Sequence, residues 1–168
     1  MFNRTSDSRA QFEATYHEDY PRVLAYLRRR SDCDQATELA AEVFLRAWTK
    51  WDSAGNPPLP WLYGIARNVL LEFYRGRGRD QDLHLKVAQR RNLVVVGMDD
   101  AVAAKIDIRA AMAGLAEADQ EILRLHTWED LNPKEIAQVL DISPENARVR
   151  LHRARHRLAE KIKEPVDG

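Results

Sequence analysis

The stretch PPLPWLYGIARNVLLEFYRGRGR, residues 57–79, sets Trp61, Tyr63 and Asn68 on the same span as Arg67, Arg75, Arg77 and Arg79. Aromatic faces stack on unpaired bases, an asparagine amide hydrogen-bonds the edge of a displaced base, and arginines pair with phosphates. That set suits single-stranded or melting DNA. The same spacing also suits Trp61 and Tyr63 as core residues, and these residues alone leave both readings open.

A second basic set lies near the C-terminus, where five arginines occur between Arg148 and Arg157 without an acid. On a helical wheel Glu145, Val149, His152, Arg153 and His156 share a face, with Asn146, Arg148 and Arg150 on its flanks. A helix furnished in this way presents polar N-terminal residues to a major groove while its arginines reach phosphates. A merely solvated arginine-rich helix is the competing reading, and a capped helix preceding it at turn spacing counts against it.

Other chemistries find little support. His152 and His156 stand four apart, as in some metal sites, yet arginines surround them and no metal site is expected. Cys33 lies between two aspartates in an expected turn, where a redox role and a plain surface thiol are both open. No phosphate-cradling glycine loop and no nucleophile beside a base is evident, so neither catalytic residues nor a cofactor are expected. The run Arg28 to Arg30 reads as solvated charge favoured by a helix C-terminus, with contact to DNA or a protein partner as the alternative.

The elements that must position these residues follow from periodicity. Phe12, Tyr16, Tyr20, Val23, Leu24 and Leu27 mark one face of a first helix ending near Arg30. A second follows Asp34 and buries Leu39, Val43, Phe44 and Ala47. In a third, Leu62, Ile65, Ala66, Val69 and Phe73 fall on one stripe, leaving Trp61, Gly64, Asn68, Leu71 and Arg75 facing away. From Gly76 to about Lys105 the pattern fails; the segment reads as a flexible linker, with Leu93 to Val96 the only candidate strand. Ile108, Met112 and Leu115 then start a helix, and Gln120 to Trp128 form another. Asn132, with Pro133 next and Glu135 three residues on, has the form of a capping box, and Ser143-Pro144 caps a last helix whose buried stripe is Ala147, Leu151, Ala154 and Leu158. Helix, turn, helix results. The fold class expected is all-α, with two small helical domains at 1–76 and 106–168 joined by a linker at 77–105.

The composition fits this division. The 168 residues are 45% hydrophobic, enough for packed cores, and 26 Lys+Arg balance 26 Asp+Glu. Net charge therefore argues for no partner, and the basic end is offset by Glu117, Asp119, Glu121, Glu129 and Asp130. A single cysteine excludes an internal disulfide and suits a reducing compartment. With no long apolar run, neither secretion nor membrane insertion is expected, and the cytoplasm is the expected location.

Three segments, AAEVFLRAW (40–48), LPWLYGIARNVLLEFYRGR (59–77) and EIAQVLDISPENARVRLHRARHRL (135–158), resemble in that order the extracytoplasmic-function class of bacterial sigma factors, group 4 of the sigma-70 family. The resemblance implies a dissociable promoter-specificity subunit of RNA polymerase, with sigma region 2 in the first module and region 4 in the second. It implies capture of the melting −10 element by the loop Ser53 to Leu59 and the third helix, through Asn56, Trp61, Arg67, Asn68 and Arg75. It implies docking on the core polymerase, at the β′ coiled coil through Glu38, Glu42, Leu45 and Arg46, and at the β flap. Recognition of the −35 element falls to Asn146, Arg148, Val149, Arg150, His152 and Arg153. The linker would run near the RNA exit path, where Asp99 and Asp100 would keep it from DNA, and an anti-sigma factor is an expected partner.

Departures from the family pattern matter. Glu38 and Ala41 replace the Asp and Gln of many members on the polymerase-facing surface. Val149 stands at a base-facing position that is often polar, where it suits a thymine methyl. Asp130 and Asp141 replace glycines at turns that need positive φ, which Asp tolerates better than most residues. A stand-alone dimeric helix-turn-helix regulator, binding palindromic operators, is the alternative, and a helical adaptor without DNA contact is a third.

Overall fold

The computed structural model of the chain describes residues 5–77 and 108–164. These are largely helical and contain no strand, in keeping with the all-α expectation. Two compact units divide the chain, Met1–Asn92 and Leu93–Gly168. The expected linker beyond Arg77, with Leu93 to Val96, Asp99 and Asp100, lies outside the described residues.

In the first unit, α1 (Ser6–Arg28), α2 (Cys33–Thr49), a short 3-10 turn (Trp51–Ser53) and α3 (Leu59–Gly76) follow one another. The start of α1 precedes the first periodic residue because Thr5 caps it, its hydroxyl accepting from the Ser8 N–H, and Asp7 adds negative charge to the first turn. The helix runs through Pro21 and ends at Arg28, two residues earlier than expected. Along α2, Ala36, Leu39, Ala40, Val43, Phe44 and Ala47 are buried. This stripe packs on both α1 and α3, and its three alanines let the backbones approach. Burying a side chain such as Leu39, Val43 or Phe44 contributes roughly 1.5–3 kcal/mol relative to exposure. Cys33 is exposed and opens α2, rather than lying in the turn before it.

Two buried faces differ from expectation. On α1 the core residues are Val23, Tyr26 and Leu27, whereas Phe12 and Tyr20 are half-buried and Tyr16 is exposed. On α3 they are Leu62, Tyr63, Ala66, Val69 and Leu70, with Ile65 and Phe73 only half-buried. Apolar residues surround α3 over much of its circumference, so helical period alone could not select the inward side; packing against α2 and Tyr26 selects it. The turn between α1 and α2 is tied down locally. Ser31 Oγ donates to Leu27 O at 2.7 Å, the Tyr74 hydroxyl donates to Arg30 O, and the Arg30 guanidinium lies 3.8 Å from the Tyr26 ring centre. Arg30 is thus a packing residue and not simply solvated charge.

In the second unit, helical residues 108–113 (α4) precede α5 (Glu117–Thr127), α6 (Pro133–Leu140) and α7 (Pro144–Lys163). Met112, Leu115, Ile122, Leu125, Leu131, Ile136, Ala147, Leu151 and Ala154 are among the buried apolar residues, whereas Ile108 is exposed and Leu158 half-buried. The caps form as the residue types dictate. Asn132 Oδ1 accepts from the Glu135 N–H at 2.9 Å while Glu135 Oε1 accepts from the Asn132 N–H at 3.2 Å, and Ser143 Oγ accepts from the Asn146 N–H at 3.1 Å. Asp130 and Asp141 both adopt the left-handed conformation, at φ 55° and 54°. The N–H of Asp141 closes α6 on Ala137 O.

Candidate nucleic-acid interface

The first set of candidate residues sits on α3 and on the loop before it. Pro60, buried in the first turn, needs no N–H donor there and anchors the helix start. Asn56 is exposed in the loop, and its peptide bond to Pro57 is cis. Trp61 is half-buried, its ring 6.2 Å from that of Trp51; Trp51 in turn meets Phe12 at 5.2 Å, and Phe12 meets Trp48 at 5.0 Å. Tyr63 is buried against Tyr26 with ring centres 5.3 Å apart. The two aromatics therefore part ways: Tyr63 completes the core, and Trp61 stands at its rim beside the loop.

Further along α3, Arg67, Asn68 and Arg75 line a groove of about 380 Å³ whose opposite wall is α2. The groove also holds Lys50 and Glu72, which the sequence did not single out, Leu71, which the helical wheel turns away from the core, and Arg46, which the resemblance groups with the polymerase-facing residues. Arg46 bridges two acids: Nε donates to Glu42 Oε1 at 2.7 Å, and Nη1 and Nη2 donate to the two Glu72 oxygens at 3.1 and 2.7 Å. Its hydrogen bonds to Glu72 and Glu42 hold the guanidinium even more firmly protonated than usual. The same bonds hold the Glu72 carboxyl below the usual carboxylate range, with nearby Arg75 and Lys50 adding to the effect. Glu38 and Leu45 are exposed on α2, Leu45 at 61%, whereas Glu42 and Arg46 are half-buried in the ion-pair network. The structure thus brings Arg46 to the arginines of α3.

The second set sits on α7. Asn146, Arg148, Val149, Arg150, His152 and Arg153 are all exposed, while Ala147, Leu151 and Ala154 face inward. Packing of α7 on α5 and α6 fixes which side is presented. The other two arginines of the cluster turn back into the unit. Arg157 donates to both oxygens of Asp119, and Arg155 contacts His126 Nε2 while Nδ1 of that histidine faces Leu131 O at 2.9 Å. His156 Nδ1 stands 3.5 Å from Glu160, an acid the sequence reading did not place near the histidine pair.

Chemically, α7 offers exposed guanidinium and amide groups to a polyanion, and α3 offers a rim aromatic beside a cationic groove. The residues that sequence reasoning passed over, Trp51, Lys50 and Glu72, come from elements adjacent to those it chose. Glu42 and Arg46 carry a helical i, i+4 signal. The pairing of Arg46 with Glu72 carries none.

Comparison with known proteins bears on both units. The family model for Sigma-70 region 2 matches residues 15–80, and that for Sigma-70, region 4 matches residues 105–158. The chain is 29% identical over 151 residues to the ECF RNA polymerase sigma factor SigM of Bacillus subtilis, covering 85% of this chain and 88% of that protein. It is 26% identical to the RNA polymerase sigma factor YlaC of the same organism, covering 92% and 93%. In fold it is similar to the sigma factor RpoE solved in complex with the anti-sigma factor NepR from Bartonella quintana, with TM-score 0.62 and 24% identity over 94% of this chain and 99% of that one.

Proposed function

Because the chain belongs to the sigma-70 family of RNA polymerase sigma factors, in the extracytoplasmic-function class, we infer that it binds core polymerase and directs it to specific promoters. The observation that carries this reading is the match of the two units, in order, to regions 2 and 4. A stand-alone dimeric regulator would not need an N-terminal unit matched as region 2, and that alternative is not favoured.

The division of labour we propose follows the geometry. Residues 1–76 act at the −10 element and on polymerase, 106–168 act at the −35 element, and 77–105 connect them. At the −10 element, Asn56 and Trp61 flank the loop that receives a displaced base, and Arg67, Asn68 and Arg75 hold the adjoining strand. Unpairing costs a few kcal/mol per base, and stacking on an aromatic returns about 1–3 kcal/mol. At the −35 element, Asn146, Arg148, Val149, Arg150, His152 and Arg153 face the major groove, with Val149 suited to a thymine methyl. Glu38, Glu42, Leu45 and Arg46 form the docking surface for the β′ coiled coil, with exposed Leu45 as its apolar centre, and the β flap is a further contact. An anti-sigma factor is the expected regulator, supported by the complex in which a protein of similar fold was solved.

Phosphodiester chemistry belongs to the polymerase in this reading, so the chain is not an enzyme. No helix among the described residues is long and apolar enough to cross a membrane, and we place the protein in the cytoplasm with its polymerase.

The test is reconstituted transcription with the purified chain, sigma-free bacterial core polymerase and a library of promoter-length DNA, with transcript 5′ ends sequenced. Starts sharing two upstream motifs at fixed separation are expected. Absence of transcripts with competent core, together with palindrome binding by the chain alone, would overturn the reading.

A further inference from the structure

The groove between α2 and α3 carries more charge than the −10 assignment uses. Arg46, Lys50, Arg67 and Arg75 line it, opposed by one carboxylate, Glu72. The floor is not purely polar, because Ile65 and Leu71 also line it. A duplex offers phosphates to such a groove but keeps its base faces inside, leaving the apolar floor unused. A single strand offers both, so cations contributed from both helices with the apolar side chains of Ile65 and Leu71 among them fit an unpaired nucleotide.

Resting on the sigma reading, in which this groove holds the unpaired strand, we propose that Glu72 sets its affinity for the single-strand backbone by holding Arg46 in a bidentate ion pair. In the observed state both Glu72 oxygens accept from Arg46, at 3.1 and 2.7 Å, and Glu42 takes the remaining Nε at 2.7 Å. The two acids engage Nε and both Nη of a guanidinium that lines the groove, so a phosphate must compete with them for it. Lys50 and Arg75 act on the same carboxylate electrostatically, so Glu72 offsets charge from three cations and not one. The pair is substantially exposed, with side chains 34% and 55% accessible, so an entering phosphate can compete for Arg46 without a large desolvation cost. Glu72 accordingly decides how much of Arg46 is available to the strand.

The experiment measures binding of a fluorescein-labelled oligothymidine to the full chain across a salt series. The variants are Glu72→Gln, Arg46→Gln and the double substitution, each checked for folding by circular dichroism. Glu72→Gln is expected to tighten binding roughly fivefold and to steepen the salt slope by about 0.7, the increment of one further phosphate contact on a single strand. Arg46→Gln alone is expected to weaken binding, because Glu72 is then left unpaired in the groove, and to remove most of the gain when added to Glu72→Gln, the remainder coming from Lys50 and Arg75. A matched duplex is expected to gain less than the single strand. An unchanged Glu72→Gln variant, a gain undiminished by Arg46→Gln, or an equal gain for duplex would each overturn the assignment. Reconstituted transcription by the unsubstituted chain separates the two levels. If it succeeds while Glu72→Gln leaves oligonucleotide binding unmoved, only the groove assignment falls; if it fails, the proposed promoter function falls with it.

Discussion

Arg157 donates to both carboxylate oxygens of Asp119, at 3.0 and 2.8 Å, and so joins the C-terminal half of α7 to the first turn of α5. The carboxylate is 13% exposed and the guanidinium 54%. Asp119 also sits where the α5 dipole favours an anion. Replacing Arg157 by Ala leaves this mostly buried carboxylate without its fork, and unfolding free energy is expected to fall by about 1–2 kcal/mol. Arg157→Lys should recover only part of that, because an ammonium cannot reproduce the two parallel bonds. Denaturant unfolding of the three proteins checks both statements. Equal stability of wild type and Arg157→Ala would show that the pair is only decorative.

Arg148 and Arg150 should behave in the opposite way. Both are exposed on α7, so substitution by Ala is expected to leave stability within about 0.5 kcal/mol. Promoter binding by the polymerase complex is expected to weaken by about 1–3 kcal/mol for each bidentate guanine contact removed. Parallel melting and promoter-binding assays make the comparison. Loss of folding without loss of binding would reverse the roles assigned to the two groups of arginines.

Alkaline pH tests the burial of the Tyr74 phenol, which donates to Arg30 O. Burial, with help from Asp32, pushes the Tyr74 phenol up to about 12, whereas an unfolded tyrosine ionises near 10. Since the fold favours the neutral phenol, its contribution is complete below about pH 10 and is lost as pH rises towards 12. Unfolding followed through that window should show declining stability in wild type and a shallower decline in Tyr74→Phe. Parallel curves would remove Tyr74 as the cause.

Asp141 closes α6 with φ at 54°, a conformation that costs a residue with a Cβ more than it costs glycine. Asp141→Gly is therefore expected to raise stability by on the order of 0.5–1 kcal/mol. Thermal melting gives the answer, and destabilisation would mean that the Asp side chain contributes more than its backbone conformation costs.

What could be read in advance divides along sequence separation. The Asn132 capping box and the Ser143 cap are settled within a few residues, and the residue types announced them; the positive φ of Asp130 and Asp141 is equally local, but it was the resemblance to a family with glycines at these turns that pointed to it. The outward side of α7 was legible because Ala147, Leu151 and Ala154 form a narrow apolar stripe on a strongly polar helix. On α3 apolar residues are too widespread for that, so Ile65 and Phe73 were assigned to a core that Tyr63 and Leu70 fill. Arg46 with Glu72, and Arg157 with Asp119, are 26 and 38 residues apart, and only packing of their helices makes them neighbours. The aromatic contacts from Phe12 through Trp51 to Trp61 have the same origin. They place the N-terminal helix behind the loop that α3 follows, a support invisible to helical period.

The arginines of α7 also bear on how such a protein diversifies. Two of the five face inward, onto Asp119 and His126, and three face outward. Under the proposed reading, substitutions among the outward three change which promoters are served while leaving the scaffold undisturbed. A lineage carrying this helix can therefore drift to new regulatory targets through single, individually tolerable steps, while selection for a folded protein keeps the inward two in place.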